Sequence, residues 1–287
     1  MEKLEKYIFN KSITEIIKER ISNRSYQGSK PLEEDLKMKL ATYLKNIEGP
    51  FSTKARYKLI DIKTSEDNNI KLGTYGMIRG ASSFIAAVTK PEEMSLEELG
   101  YELEKFILYA TSLGLGTCWL GGTFKKGEFS KAMQLNSEEI LPIVTPIGYP
   151  SIKKNMLASL VRTVVGSKNR KSWQELYFDG SFDKNLTEDQ AGVYAPALEM
   201  VRLGPSASNK QPWRIVKDKE RFHFYLCHTK GYAKSLGVDM QRIDMGIAMC
   251  HFDLTLKEAR IEGDFQKCNP NIERTGDQTE YIISYVK

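Results

Sequence analysis

Cysteine is scarce in this chain: Cys118, Cys227, Cys250 and Cys268 are the only four among 287 residues, and no two sit at CxxC spacing. Histidine is scarcer, at His223, His228 and His251. A zinc centre built on paired short spacings is thereby excluded, and free thiols in a reducing compartment are the simplest reading. No apolar run approaches the roughly 20 residues that span a bilayer. The opening MEKLEKYIFNK mixes acids and bases and lacks an apolar core, so no signal peptide is visible. A soluble, cytoplasmic protein is expected, with no membrane partner. The sequence also lacks GxGxxG after a strand, GxxxxGK[ST], GxSxG and HExxH, which removes the common Rossmann, P-loop, hydrolase and zincin readings. Charge of one sign is not in large excess: 42 basic against 37 acidic residues leave +5. That balance permits an anionic ligand, but it is not the concentrated basic stripe that nucleic acid requires.

What is present suits a globular chain of one large or two small domains, with 41% hydrophobic and 28% charged residues. SITEIIKER at 12–20 predicts a helix, with Ser12 as N-cap and Glu15 as its capping-box partner. Pro31 is expected to open a second helix, with Glu33, Glu34 and Asp35 in its first turn and Leu36, Leu40 and Leu44 at helical spacing. Arg56–Ile62 alternates like a strand, and Ser83–Thr89 reads as a short buried strand. Leu96–Leu113 is the clearest helix, with Leu99, Leu103, Phe106, Ile107 and Ala110 on one face and Gly114 and Gly116 after it. LPIVTPIGY at 141–149 reads as a strand interrupted by prolines, hence near an edge or bend. Residues 151–189, basic and then polar, read as a long connection. A second series follows: a helix over Ala195–Leu203, strands over Arg214–Lys217 and Arg221–Cys227, a long helix over Ile243–Arg260 and a terminal strand over Tyr281–Val286.

The two series share an order. A shift of 146 positions places Gly100 on Gly246, Leu103 on Met249, Phe106 on Phe252 and Leu108 on Leu254. Two amphipathic helices produce such a match by chance as readily as a duplication does.

Four segments carry chemistry. Arg20-Ile21-Ser22-Asn23-Arg24 sets two guanidiniums around a hydroxyl at a helix end, a solvated basic loop or an anion site. Lys168-Asn169-Arg170-Lys171 is a second basic cluster, which gains meaning only if the fold brings it beside Arg20. Gly114 to Gly122 holds four glycines in nine residues, more than a helix stop needs, and glycine lets backbone N–H groups approach a flat ligand. Within it Trp119 is a stacking surface or core, and Cys118 reads as a small buried hydrophobe rather than a nucleophile. Pro205-Ser206-Ala207-Ser208-Asn209-Lys210-Gln211-Pro212-Trp213 combines hydroxyls and amides between prolines. It is a polar turn or a binder of a heterocycle edge bearing C=O and N–H.

In this order, RISNRSY, LEKFILYATSLGLGTCWLGGTF, PIGYPS with SKNRK, and PSASNKQPWRIV resemble the nitroreductase family of flavin enzymes. The resemblance covers most of the chain. It implies an α+β fold with mixed or antiparallel sheets and surrounding helices. The PSASN-type motif usually lies early in the family; here residues 41–57 lack it and it stands at 205–213. Together with the weak repeat, this implies two similar halves in one chain, an intrachain pseudo-dimer of 1–185 and 186–287. The second half lacks its own RxSxR, so one FMN per chain, in a monomer or weak homo-oligomer, is expected.

The resemblance also implies roles. Arg20 and Ser22, with Ile21 between them, match positions at the FMN phosphate and ribityl chain, and Arg24 matches the cation beside flavin N1 and O2. Lys168 and Arg170 match the basic pair on the phosphate. Leu120, Gly121 and Gly122 match the loop whose backbone faces flavin N5, although many relatives carry an acid where Gly121 stands. Pro205, Ser206, Ala207, Ser208 and Asn209, with Gln211, match the loop laid against the ring. The implied activity is hydride transfer from NAD(P)H through FMN to an electron-poor small molecule such as a nitroaromatic or quinone, the flavin carrying the chemistry. The alternative is a flavin-binding or redox-sensing protein without turnover. A third option is nucleic-acid binding through Lys153, Lys154, Arg162, Lys168, Arg170 and Lys171, which steep salt dependence would reveal.

Overall fold

The computed structural model describes residues 9–62, 73–151, 170–232, 237–268, 270, 272–273 and 278–287. Helix α1 (Ile13–Glu19) starts on the expected reciprocal cap: Ser12 Oγ accepts the Glu15 N–H at 3.2 Å, and Glu15 Oε2 accepts the Ser12 N–H at 3.3 Å. Helix α2 (Glu34–Lys45) begins after Pro31 rather than at it, with Glu34 and Asp35 in its first turn and Leu40 and Leu44 buried.

Strands β1 (Arg56–Asp61) and β2 (Ser83–Thr89) lead to helix α3 (Ser95–Ser112), then β3 (Gly116–Thr117), α4 (Lys126–Met133) and β4 (Ile140–Gly148). The four strands form an antiparallel sheet in the order β1-β2-β4-β3. Every residue of β2 is buried because it separates two cores. Ile85 and Ala87 face one with α3, while Phe84, Ala86 and Val88 face the other with Phe129 and Met133. A strand covered on both faces reads as a continuous apolar run, as it does here.

The prolines of β4 do not put it at an edge. It is an inner strand, paired with β2 on one side and β3 on the other. Pro142 lies beside the register shift between Ala87 and Thr89. Val144 exchanges both backbone hydrogen bonds with Leu120, at 3.0 and 3.1 Å, and Pro146 comes next in that ladder, opposite Cys118. Pro146 has no N–H to give, and the Cys118 N–H turns to Thr145 Oγ1 at 3.2 Å.

Residues 170–189 are not a bare connection. They contribute α5 (Trp173–Leu176), β5 (Tyr177–Asp179) and the start of α6 (Glu188–Ala191), and Trp173, Leu176, Tyr177 and Leu186 are buried. Three large apolar side chains at i, i+3 and i+4 give the polar stretch an anchoring face; residues 152–169 lie outside the described part. There follow α7 (Ala195–Leu203), β6 (Trp213–Asp218), β7 (Arg221–Cys227), α8 (Met240–Glu258), β8 (Asp264–Gln266) and β9 (Thr279–Val286). The second sheet runs β5-β6-β7-β9-β8, with β5 parallel to β6 and the other pairs antiparallel. The α+β class with mixed and antiparallel sheets is as the sequence implies.

Helices α3 and α8 pack through glycine. A Cβ on Gly100 would lie 2.2 Å from the Ile243 carbonyl oxygen, and one on Gly246 would lie 2.0 Å from that of Glu97. Two segments cross the expected boundary at 185/186: β5 joins the second sheet, and Ile13, Ile16 and Ile17 of α1 join the core that contains Trp213 and Phe252. Among the described residues no helix is long and apolar enough to cross a membrane.

Candidate functional site

Three segments distant in sequence meet around a cavity of about 380 Å³. Ser22 and Arg24 supply one wall, Cys118 to Thr123 a second, and Pro205 to Ser208 a third. Met240, Ile243, Asp244 and Ile247 on α8 form the apolar side, interrupted by the Asp244 carboxyl group.

The first wall is held in an extended conformation beside β3. Ser22 pairs with Thr117 in a parallel bridge, and the Asn23 N–H donates to the Thr117 carbonyl at 2.7 Å. Alternation then turns Asn23 inward and leaves Ser22 and Arg24 facing the cavity. The second wall is the segment after β3, which Leu120 ties to Val144 of β4. Its Trp119 lines the cavity and is also tied inward, Nε1 donating to Glu104 Oε2 at 2.8 Å. At Gly121 a Cβ would fall 2.6 Å from Met240 Sδ, the end of a flexible side chain, so the glycine lets α8 approach this segment closely.

The third wall is a strained loop. Ser208, Asn209 and Gln211 all take left-handed φ values, of 50°, 53° and 48°. Hydrogen bonds offset that cost. The Gln211 N–H donates to Ser206 Oγ at 2.9 Å, Gln211 Nε2 donates to the Asn209 carbonyl at 3.2 Å, and Ser208 Oγ and Tyr232 Oη lie 3.0 Å apart. The Ala207 N–H donates to Asp244 Oδ1 at 2.9 Å, which fastens the loop to α8.

Thus Ser22, Arg24, Leu120, Gly121, Gly122, Pro205, Ser206, Ala207 and Ser208 line one cavity, and five other residues named from the sequence lie off its wall. The Ile21 carbonyl accepts from Asn23 Nδ2 at 3.1 Å. Gln211 is buried, and its Oε1 accepts the Lys171 N–H at 2.8 Å, so it braces the loop from behind. Asn209 Oδ1 accepts from Arg170 Nη1 at 3.3 Å. Arg170 also donates to the Leu203 carbonyl at 2.9 Å and to that of Gly204, clamping the end of α7. Arg20 turns into the protein: its Nε lies 3.5 Å from Glu104 Oε1, an ion pair in which Nε makes no hydrogen bond. Lys168 lies outside the described residues.

The electrostatics suit an anion between the basic segments. Burial, then the neighbouring charges of Arg20 and Arg202, pull the Arg170 pKa down from the ordinary guanidinium value. The positive charge of Arg20 is thus felt at Arg170. A phosphate between them would relieve the repulsion and give Arg20 Nε a charge-assisted partner. Burial pushes the Cys118 thiol up, although Arg24 and Arg20 pull the other way. An inert thiol agrees with its reading as a small hydrophobe.

Sequence reasoning missed Glu104, His251, Tyr232 and Asp244. Glu104 and His251 are fully buried, with His251 Nε2 3.0 Å from Glu104 Oε1 and His251 Nδ1 2.8 Å from the Met200 carbonyl. No local signal singles out Glu104 or His251, because each shares its helix with several other buried polar residues.

A family profile described as "Putative TM nitroreductase" matches residues 12–256. A Thermotoga maritima structure described as a nitroreductase is 21% identical, with a TM-score of 0.60 over 96% of this chain and 94% of that one. A nitroreductase family protein from Clostridium novyi NT is 20% identical, covering 50% of this chain and 88% of its own, with a TM-score of 0.40. An FMN-dependent nitroreductase from Clostridium difficile R20291 is 17% identical, covering 47% and 86%, with a TM-score of 0.38. No curated protein matches the sequence significantly.

Proposed function

This chain belongs to the nitroreductase family, and we propose that it is an FMN-dependent oxidoreductase passing electrons from NAD(P)H to an electron-poor small molecule such as a nitroaromatic or quinone. The observation that carries the reading is the meeting of Ser22 and Arg24, Leu120 to Gly122, and Pro205 to Ser208 on one cavity. FMN bound there would supply hydride chemistry at N5. The chain's own contribution is binding and tuning. Arg20 and Arg170, with Lys168, would hold the phosphate, and Ser22 the ribityl chain. Arg24 would stand by the N1/O2 edge, where reduction places negative charge. The Leu120–Gly122 backbone would face N5, and the 205–208 loop would cover the ring.

On the same reading the chain is a pseudo-dimer in which 1–185 supplies the cations and glycine loop and 186–287 supplies the covering loop, so a monomer suffices for one site. Two matched features support it. Gly100 and Gly246, 146 positions apart, make reciprocal contacts, and the Phe51 N–H donates to Glu98 Oε2 at 3.0 Å as the Ala207 N–H donates to Asp244 Oδ1 at 2.9 Å. Glu98 and Asp244 share that spacing. The test is a visible absorption spectrum of the purified protein, before and after anaerobic NADPH or NADH. A flavin spectrum that bleaches, with turnover of a nitroaromatic, is expected. A colourless protein that takes up no FMN overturns the reading. A bound flavin that neither nicotinamide bleaches leaves a flavin-binding module.

A further inference from the structure

We propose that His251 is a buried imidazolium whose charge cancels that of Glu104, so that the guanidinium of Arg20 beside them keeps its own charge for an anion. Glu104 on α3 and His251 on α8 are both fully buried, and the flavin chemistry proposed above uses neither. His251 Nε2 lies 3.0 Å from Glu104 Oε1, and His251 Nδ1 lies 2.8 Å from the Met200 carbonyl oxygen. Glu104 Oε2 accepts from Trp119 Nε1 at 2.8 Å, and Arg20 Nε stands 3.5 Å from Glu104 Oε1.

The partners place the protons. A carbonyl oxygen only accepts, so His251 Nδ1 carries a hydrogen; an indole N–H only donates, so Glu104 Oε2 accepts. Two lone pairs facing each other at 3.0 Å would repel, so one further proton lies between His251 Nε2 and Glu104 Oε1. On Nε2 it leaves Glu104 an ionised acceptor facing three donors: the Trp119 indole, the His251 ring and the Arg20 guanidinium. On Oε1 it would neutralise the one carboxylate in ion-pair range of Arg20 among the described residues, and set a buried guanidinium against a neutral acid. The first arrangement keeps the charge-assisted contacts. Every polar atom of the Glu104 and His251 side chains then has a partner, as a buried ion pair requires.

The sum of charges gives His251 its role. Glu104 and His251 cancel, and the positive charge left in the cluster is that of Arg20. With a neutral ring, Glu104 would cancel Arg20 instead. The Arg20 side chain is 7% exposed and its Nε makes no hydrogen bond, so an uncancelled charge there is costly until an anion meets it. On the flavin reading that anion is the FMN phosphate. The identification of the anion rests on that reading; the protonation of His251 does not. His251 is then a positioning residue, acting on Arg20 through Glu104. A pair that merely tied α3 to α8 would make both partners equally necessary, whereas charge cancellation makes the loss of His251 harmful only while Glu104 remains.

The first experiment needs no flavin. Nitrogen-15 NMR of the apoprotein labelled in its three histidines, with H251Q to identify the ring, should show both His251 nitrogens protonated at pH 7. An unprotonated Nε2 overturns the proposal. This arm decides even if the protein binds no FMN, in which case only the flavin reading fails. The second is titration of the wild type, H251Q, E104Q and E104Q/H251Q with FMN and with riboflavin, which lacks the phosphate. H251Q leaves the Glu104 carboxylate to cancel Arg20, so FMN should bind about tenfold more weakly and riboflavin within about threefold of wild type. E104Q removes both the carboxylate and the need for the second ring proton, so it should keep FMN within about threefold of wild type, and the double variant should recover most of what H251Q loses. Unchanged FMN affinity in H251Q, an equal loss of riboflavin, or a double variant that binds FMN no better than H251Q overturns the proposal. Should H251Q not fold, E104Q must return the His251 ring to a neutral form while it keeps its FMN affinity; an imidazolium that persists in E104Q overturns it.

Discussion

Gly100 on α3 and Gly246 on α8 each face the backbone of the other's helix, one turn from where its counterpart does the same. Gly100 meets Ile243, Gly246 meets Glu97, and both pairs keep the spacing of 146 positions. A contact of this kind is self-complementary, as across the two-fold axis of a symmetric dimer. Alanine at either position would drive a methyl into a carbonyl oxygen. G100A and G246A should each cost at least about 2–3 kcal/mol, the upper range for overpacking. G127A is the control. Nothing lies within 4 Å of a Cβ there, in helix α4, and a gain of about 0.4–1 kcal/mol is expected. Urea denaturation measures all three, and equal stabilities would contradict the packing.

Removing a cation at the proposed phosphate should weaken FMN. R170A loses a charge-assisted hydrogen bond worth roughly 1.5–3 kcal/mol, about one to two decades of affinity. It also releases the clamp on Leu203, Gly204 and Asn209. R20A should show a similar loss and an added fall in stability, because Glu104 loses its nearest guanidinium. Fluorescence titration with FMN separates binding from folding when paired with denaturation. Unchanged affinity in both variants would mean the phosphate lies elsewhere.

Arg24 should act on potential rather than on anchoring. It lines the cavity without contributing to the buried Arg20–Glu104 pair. R24A is expected to lower the flavin reduction potential by tens of millivolts, since about 1.4 kcal/mol corresponds to roughly 30 mV for two electrons. Spectroelectrochemical titration reads this directly. A potential equal to that of wild type would remove Arg24 from the ring edge.

Stability should fall as pH rises from about 5 to about 8. Burial, then the charge of Glu102, raise Glu98 to about 8, against the Phe51 N–H and Lys105. Burial raises Glu102 to about 7, against Tyr57 and Lys105. The folded state holds these protons more tightly than the unfolded chain, whose carboxyls titrate near 4.3. Their contribution is therefore fully present below that value and is lost as pH climbs through the folded values. Thermal midpoints across this range should decline in wild type and flatten in E98Q/E102Q. A midpoint that rises with pH in wild type but not in the double variant would reverse the assignment.

The sequence by itself determined the local elements. The Ser12–Glu15 cap, the strand at Ser83–Thr89, the helix at Ala195–Leu203 and the strand at Arg221–Cys227 form where chain-local signals put them. Capping, periodicity and turn chemistry act over a few residues, so they can be read from a few residues. The motif residues on the cavity wall were legible only through the resemblance of their order to the nitroreductase family, since each segment by itself also reads as an ordinary loop.

Only the tertiary structure decided what those strings touch. The prolines of β4 suggested an edge or a bend; the strand is central, with Pro142 beside a register shift and Pro146 opposite Cys118. Tyr177–Asp179 became a strand because β6 offers it an edge. Arg20 turned toward Glu104, more than eighty residues away in sequence, and the 205–208 loop was fastened to α8 through the Ala207 N–H and Asp244 Oδ1. Each of these depends on the distance between elements far apart in the chain. That distance is set by close packing of the whole core, which no local pattern encodes.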